Sequence, residues 1–124
     1  MDQSEMRKRT KIFALEVIRF TESLPQKRAT EIIGRQLFRC GTSVGANYRA
    51  ACRAKSKPDF IAKMGIVLEE ADESLYWMEI LQEAEIVDTE AARMLTREAN
   101  ELVSIVAASI MTAKDTKSRA NLKS

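Results

Sequence analysis

Apolar residues recur along most of the chain at alternating intervals of three and four. In the first 24 residues the repeat is carried by Phe13, Val17, Phe20 and Leu24. This spacing places side chains on one face of an α-helix, because an α-helix has about 3.6 residues per turn. Three later segments carry the same repeat: Ile33, Leu37, Cys40, Val44, Tyr48 and Ala51; Phe60, Met64, Val67, Ala71, Leu75 and Met78; Leu95, Leu102, Ile105, Val106, Ser109 and Ile110. The pattern predicts four amphipathic helices.

Proline and short polar residues divide these segments. The first helix is predicted over Ser4–Ser23. At Ser23–Gln26 a serine is followed by a proline in the first turn and by a glutamine three residues on, which is typical of a capped helix start. The arrangement recurs at Ser56–Asp59 and predicts the end of the second helix and the start of a third, over Pro58–Ala84. Asp88 is predicted to cap the fourth helix, where a negative charge suits the helix dipole.

The connections between these helices are only a few residues long, so consecutive helices must run antiparallel. The fold class predicted is therefore all-α, an antiparallel up-and-down four-helix bundle. Its 124 residues are enough for one core and one domain, expected over residues 1–115. Residues 116–124 are polar, lose the period and are predicted to form a flexible C-terminal tail.

Small residues inside the second and third helices predict a close helix crossing. A glycine inside a helix costs about 1 kcal/mol relative to alanine, and a close approach of two backbones would offset that cost. Gly45 of the second helix is expected to lie level with Gly65 of the third or its neighbours, and Gly41, Ala46 and Ala62 are expected to contribute to the same close approach. The alternative is that the glycines are merely tolerated inside their helices.

Composition places the chain among cytoplasmic globular proteins. Apolar residues make up 45% and charged residues 31% of the chain, and it lacks the run of about 18 apolar residues that a membrane span needs. The first residues are charged and have no apolar signal core, so a cytoplasmic location is expected. Cys40 and Cys52 lie about 18 Å apart along one predicted helix, too far for a disulfide, and are expected to be free thiols.

Charge is segregated along the chain although the net charge is only +2. Residues 1–57 hold thirteen Lys and Arg against five Asp and Glu, a net charge of +8. Residues 58–101 hold three against twelve, a net charge of −9. The first helix opens with basic residues, and a stripe of arginines follows the second: Arg28, Arg35, Arg39, Arg49 and Arg53.

Arginine stripes of this kind are typical of nucleic-acid binding, because the guanidinium group fits phosphate oxygens. The five arginines are therefore candidate phosphate contacts. The alternative is that they pair with the acidic residues of the third helix, in the same subunit or in a neighbour. That alternative would relieve the repulsion between like charges four residues apart, as at Glu69 and Glu73.

The acidic segments raise one enzymatic alternative. Glu69-Glu70-Ala71-Asp72-Glu73, followed by Glu98-Ala99-Asn100-Glu101, is similar to the carboxylate spacing of all-α, Mg²⁺-dependent nucleoside triphosphate pyrophosphatases. In that family the last acid is an aspartate, whereas here it is Glu101. The chain has no histidine, which excludes His-dependent triads and ferritin-like metal sites. No catalytic residue, metal site or cofactor is expected.

Helix two carries a specific resemblance. The segment Gln36-Leu37-Phe38-Arg39-Cys40-Gly41-Thr42-Ser43-Val44-Gly45-Ala46-Asn47-Tyr48-Arg49-Ala50 resembles the signature of the bacterial four helix bundle protein family. These proteins are encoded in intervening sequences of large-subunit ribosomal RNA genes and are described as ribosomal-protein-like. The similarity continues through Lys57-Pro58-Asp59-Phe60-Ile61 and Ser74-Leu75-Tyr76-Trp77-Met78-Glu79 and covers residues 8–112.

The resemblance implies an up-and-down bundle that assembles into a homopentamer and has no established enzymatic activity. The family is also similar to the accessory protein of diversity-generating retroelements, which binds a reverse transcriptase and nucleic acid. The expected function is therefore a non-catalytic oligomer that binds RNA or a nucleic-acid-handling protein. The alternative is a structural adaptor without nucleic-acid affinity. Gly41, Gly45, Asn47, Gly65 and Trp77 are the candidates for helix packing or subunit contacts.

Overall fold

The computed structural model describes the backbone of residues 1–123 and the side chains of residues 1–115. It has four helices: α1 (Gln3–Glu22), α2 (Arg28–Cys52), α3 (Lys57–Glu83) and α4 (Glu90–Lys123). α1 packs along α2, α2 along α3 and α3 along α4, while the contact between α1 and α4 is much smaller. The all-α, up-and-down four-helix bundle is confirmed. The predicted flexible tail falls on residues 116–124, whose side chains lie outside the described part, and stays a prediction.

The predicted start of α3 is confirmed. Ser56 is the N-cap, and its hydroxyl accepts a hydrogen bond of 3.2 Å from the backbone N–H of Asp59. This bond satisfies one of the N–H groups that the first turn of a helix leaves unpaired. Pro58 follows in the first turn, where its missing N–H costs nothing.

The predicted caps of α2 and α4 were wrong. Ser23 ends α1 and does not start α2; its hydroxyl donates to the carbonyl of Phe20 at 2.7 Å. Pro25 lies two residues beyond the C-cap, where proline is common because it cannot continue a helix. α2 begins only at Arg28, and its N-cap residue makes no side-chain hydrogen bond. In α4 the cap is Thr89, which accepts from the N–H of Ala92 at 3.1 Å. Asp88 lies one residue too early to do so.

The predicted apolar faces form the core. Its largest fully buried side chains include Phe13, Leu37, Met64, Met78, Leu81 and Leu102. Two buried hydroxyls, of Thr10 and Ser74, donate to backbone carbonyls of their own helices at 2.9 and 2.8 Å. Each of these two hydroxyls therefore has an acceptor, and neither leaves an unpaired donor in the core. Cys40 is buried, Cys52 is half-buried, and both are free thiols as predicted.

The close crossing at the glycines involves a different helix from the one predicted. A Cβ atom at Gly41 would lie 2.8 Å from both methyl carbons of Val17, and one at Gly45 would lie 3.1 Å from the carbonyl oxygen of Thr10. Both neighbours belong to α1. A Cβ at Gly65 would meet nothing within 4 Å. The prediction that these glycines bring α2 and α3 together was therefore wrong, since the glycines of α2 bring α1 and α2 together.

No described helix combines the length and the apolar content required to cross a lipid bilayer.

Candidate nucleic-acid interface

A groove of about 680 Å³ runs between α1 and α2 on the outside of the bundle. Its walls carry five cationic side chains: Arg7, Lys8 and Lys11 from α1, and Arg49 and Arg53 from α2. Its floor consists of small residues: Ala14, Thr42, Gly45 and Ala46. None of the described residues that line it is acidic. The groove therefore concentrates positive charge from two helices around a shallow floor.

Helical spacing explains why these side chains meet. On α1, Arg7, Lys11 and Ala14 follow each other at intervals of four and three, so they share one face. On α2, Ala46, Arg49 and Arg53 do the same. The α1–α2 crossing at the glycines holds these two faces side by side, since it lets the helix backbones approach closely.

Within residues 1–115 the five groove cations take part in no ion pair. All five are exposed to solvent. Like charges held together without counter-charges repel each other, and a bound polyanion would remove that repulsion. The arrangement can therefore hold phosphate groups by charge-assisted hydrogen bonds.

Arg39 lies outside this groove. Its Nη1 atom lies 3.3 Å from both carboxylate oxygens of Glu70, and its Nη2 atom donates to Glu73. The hydrogen bonds that Arg39 donates to Glu73 and then to Glu70 raise the pKa of Arg39. Arg39 thus shows, within the subunit, the pairing with α3 that was the alternative to phosphate contact.

Arg28 and Arg35 lie in a third place, towards the α1–α2 turn. Arg28 is the first residue of α2. Arg35 lines a separate depression of about 450 Å³ that also contains Glu22 and Glu31. The two carboxylates make this depression less favourable to phosphate than the groove. Of the five predicted arginines, only Arg49 and Arg53 therefore line the groove.

The α1 wall of the groove was missing from the predicted site residues. Arg7, Lys8 and Lys11 form it, while Arg9 points to the other side of α1. There Arg9 pairs with Glu98 at 2.5 Å and Glu101 at 2.6 Å across the small α1–α4 contact. The hydrogen bond to Glu98 is the main cause that raises the pKa of Arg9. The sequence contained a signal that Arg9 lies on a different side of α1 from Arg7. Each residue of an α-helix is rotated by about 100° from the one before it, so Arg9 lies more than half a turn around the helix from Arg7.

The two acidic segments face different helices. Glu70 and Glu73 reach Arg39 of α2, whereas Glu98 and Glu101 reach Arg9 of α1. Among the described residues, no three His, Cys, Asp or Glu side chains gather closely enough to hold a metal ion. The structure thus does not bring together the carboxylate set that the pyrophosphatase alternative requires.

The remaining predicted positions lie on α2 and on α3. The Asn47 side-chain amide donates to the carbonyl of Ser43 at 2.8 Å, an internal bond within α2. Trp77 packs edge-on against Tyr76, with ring centroids 5.0 Å apart. The indole N–H of Trp77 is buried and has no partner among the described residues. Ile66 and Tyr76 are 44% and 53% exposed, and the space beside Gly65 is open.

Comparisons with known proteins agree with this architecture. A crystal structure at 1.70 Å resolution, of a protein of unknown function from the S23 ribosomal protein family of Bacteroides thetaiotaomicron VPI-5482, is similar to this chain. The two share 30% sequence identity and superpose with a TM-score of 0.81, over 90% of this chain and 99% of that one. No curated protein matches the chain. Neither the neighbour nor the matching family is described as an enzyme. Residues 2–108 match the family described as 23S rRNA-intervening sequence protein, and the chain belongs to that family.

Proposed function

We propose that this protein is a non-catalytic, homo-oligomeric bundle that binds RNA through the groove between α1 and α2. The observation that carries the proposal is the set of five cations without ion pairs that line one groove free of acidic residues. The name of the family, which refers to the intervening sequence of 23S rRNA, supports RNA as the polyanion.

The physical basis is the release of counter-ions from the phosphate backbone. Each cation that neutralises a phosphate frees a condensed counter-ion, so affinity falls steeply as the salt concentration rises. The groove carries three arginines and two lysines, and arginine binds phosphate through two parallel N–H donors. Five contacts of this kind are enough for an affinity that depends mainly on electrostatics.

We expect the purified protein to bind a structured ribosomal RNA fragment in a gel-shift titration at low salt. If all five cations contact phosphates, the slope of log K against log salt should be about −4, with roughly 0.7 to 0.9 counter-ions released per contact. Neutralising Lys11 alone, as Lys11→Gln, should reduce the slope by about one. A protein that binds no RNA even at the lowest salt would contradict the proposal and favour the adaptor function.

The oligomeric part of the proposal concerns the outer side of α3. Ile66 and Tyr76 are exposed on this helix, and the space over Gly65 is open. Trp77 packs edge-on against Tyr76. These features support a subunit contact through Gly65, Ile66, Tyr76 and Trp77. The pentamer itself rests on the resemblance to the family.

Size-exclusion chromatography with light scattering tests this contact. We expect the wild-type protein to have about five times the chain mass of 14.0 kDa. The variant Ile66→Glu should lower that mass, because it places a charge in an apolar contact. Met94→Glu is the matched control, since Met94 is 58% exposed on α4. A monomeric wild-type protein, or equal masses for all three proteins, would contradict the proposed contact.

A further inference from the structure

The polar groups of the α1–α2 groove are almost exclusively hydrogen-bond donors. Arginine and lysine side chains have no acceptor atoms. The neutral polar side chain of the lining is Thr42, whose hydroxyl already donates to the carbonyl of Phe38 at 2.7 Å. Among residues 1–115, no asparagine, glutamine or carboxylate side chain contributes to the lining. The groove therefore fits a ligand that offers acceptors alone.

The lining also contains no aromatic side chain. Proteins that recognise unpaired bases commonly stack them on aromatic rings and bond their edges with both donors and acceptors. The exposed aromatic side chains of the bundle lie elsewhere: Tyr76 on α3, and Phe38 in the depression near the α1–α2 turn. The groove thus lacks the groups that would distinguish one base from another.

The phosphodiester backbone is the part of a nucleic acid that offers acceptors alone. The stretch of α2 from Thr42 to Arg53 is about 16 Å long at a rise of about 1.5 Å per residue. At about 3.4 Å of duplex axis per nucleotide of one strand, this length spans at most about four or five phosphates. The cations of the two walls can therefore follow one strand, while its sugars pass over the small residues of the floor.

We infer that the groove recognises the phosphodiester backbone without reading the bases or the ribose 2′-hydroxyl, so that RNA and DNA strands of any sequence are its ligands. This inference rests on the proposed function and specifies the ligand class of the same site. The 2′-hydroxyl can both donate and accept, and it is the group by which proteins distinguish RNA from DNA. A groove that presents donors to phosphates gives that group no dedicated partner.

Fluorescence anisotropy with labelled 20-mers tests the inference. The probes are an oligo-uridine RNA, a mixed-sequence RNA, the DNA strand of each, and a morpholino strand with the mixed sequence on an uncharged backbone. We expect dissociation constants within about threefold for the four charged strands and no binding of the morpholino. The variants Arg49→Glu/Arg53→Glu and Lys8→Glu/Lys11→Glu should each weaken all four charged probes alike. Circular dichroism checks that both variants remain helical.

The outcomes separate the inference from the proposed function. A preference of more than tenfold for one sequence or for RNA over DNA, removed by the groove variants, would overturn the inference and leave RNA binding in the groove intact. Binding of the morpholino would overturn it in the same way. Failure of every probe to bind while the structured ribosomal RNA fragment still binds would overturn the inference alone. Failure of that fragment as well, or binding that neither groove variant weakens, would overturn the proposed function and the inference with it.

Discussion

Reversing the charges of Arg49 and Arg53 is expected to lower the affinity for a ribosomal RNA fragment by about 100-fold at about 50 mM salt, since each lost phosphate contact costs roughly tenfold under these conditions. Both side chains line the groove and form no ion pair among the described residues, so the double variant Arg49→Glu/Arg53→Glu removes contacts without breaking any within the subunit. Surface substitutions away from packed sites usually change stability little. A gel-shift titration against wild type measures the effect.

The matched control is Arg28→Glu/Arg35→Glu. It makes the same change of net charge on the same helix, but neither arginine lines the groove. We expect a loss of less than about fivefold, from the weaker long-range field alone. Equal losses for the two double variants would show that only net charge matters and that the groove is not the binding site.

Alanine at Gly41 or Gly45 is expected to destabilise the bundle, whereas alanine at Gly65 is expected to stabilise it. All three glycines lie inside helices, so each change gains about 1 kcal/mol of helix propensity. At Gly41 the new methyl group would meet Val17 at 2.8 Å, and at Gly45 it would meet the α1 backbone at 3.1 Å. Overpacking of this kind costs about 1 to 3 kcal/mol, which exceeds or offsets the gain. At Gly65 the methyl group would meet no described atom of its own subunit within 4 Å.

Chemical denaturation of the three variants measures this difference. A second substitution identifies the cause of the difference. In the Gly41→Ala background, Val17→Ala removes the two methyl groups that clash with the new Cβ atom. It should therefore lower the free energy of unfolding by less than it does in the wild-type protein. Similar stability changes for all three glycine variants would contradict the α1–α2 crossing. Additive effects of Gly41→Ala and Val17→Ala would show that the two residues do not interact.

The helices and the core could be predicted from the sequence because both depend on periodicity. Phe13, Leu37, Met64 and Leu102 are buried in the structure on the faces that their spacing indicated. The start of α3 was also predictable, since Ser56 and its partner N–H are three residues apart in one chain. The same kind of local signal failed at Ser23, which ends α1, and at Asp88, where Thr89 is the cap, so local spacing alone does not distinguish every helix start.

Features that depend on a neighbouring helix could not be predicted in the same way. Gly41 and Gly45 indicate that some backbone approaches α2 closely, but small residues do not identify which helix that is. Arg39 and Arg49 look alike in the sequence, yet Arg39 reaches the acidic side of α3 and Arg49 lines the groove. Their roles separate only when the directions of the side chains are known.

The most direct test of the groove is to locate the RNA on the protein by photo-cross-linking. A 4-thiouridine-containing RNA is irradiated with the wild-type protein, and the cross-linked peptides are identified by mass spectrometry. The groove predicts cross-links within residues 7–14 of α1 and 42–53 of α2, lost when unlabelled RNA competes. Cross-links confined to α3, or to residues 114–124, would contradict RNA binding in the groove.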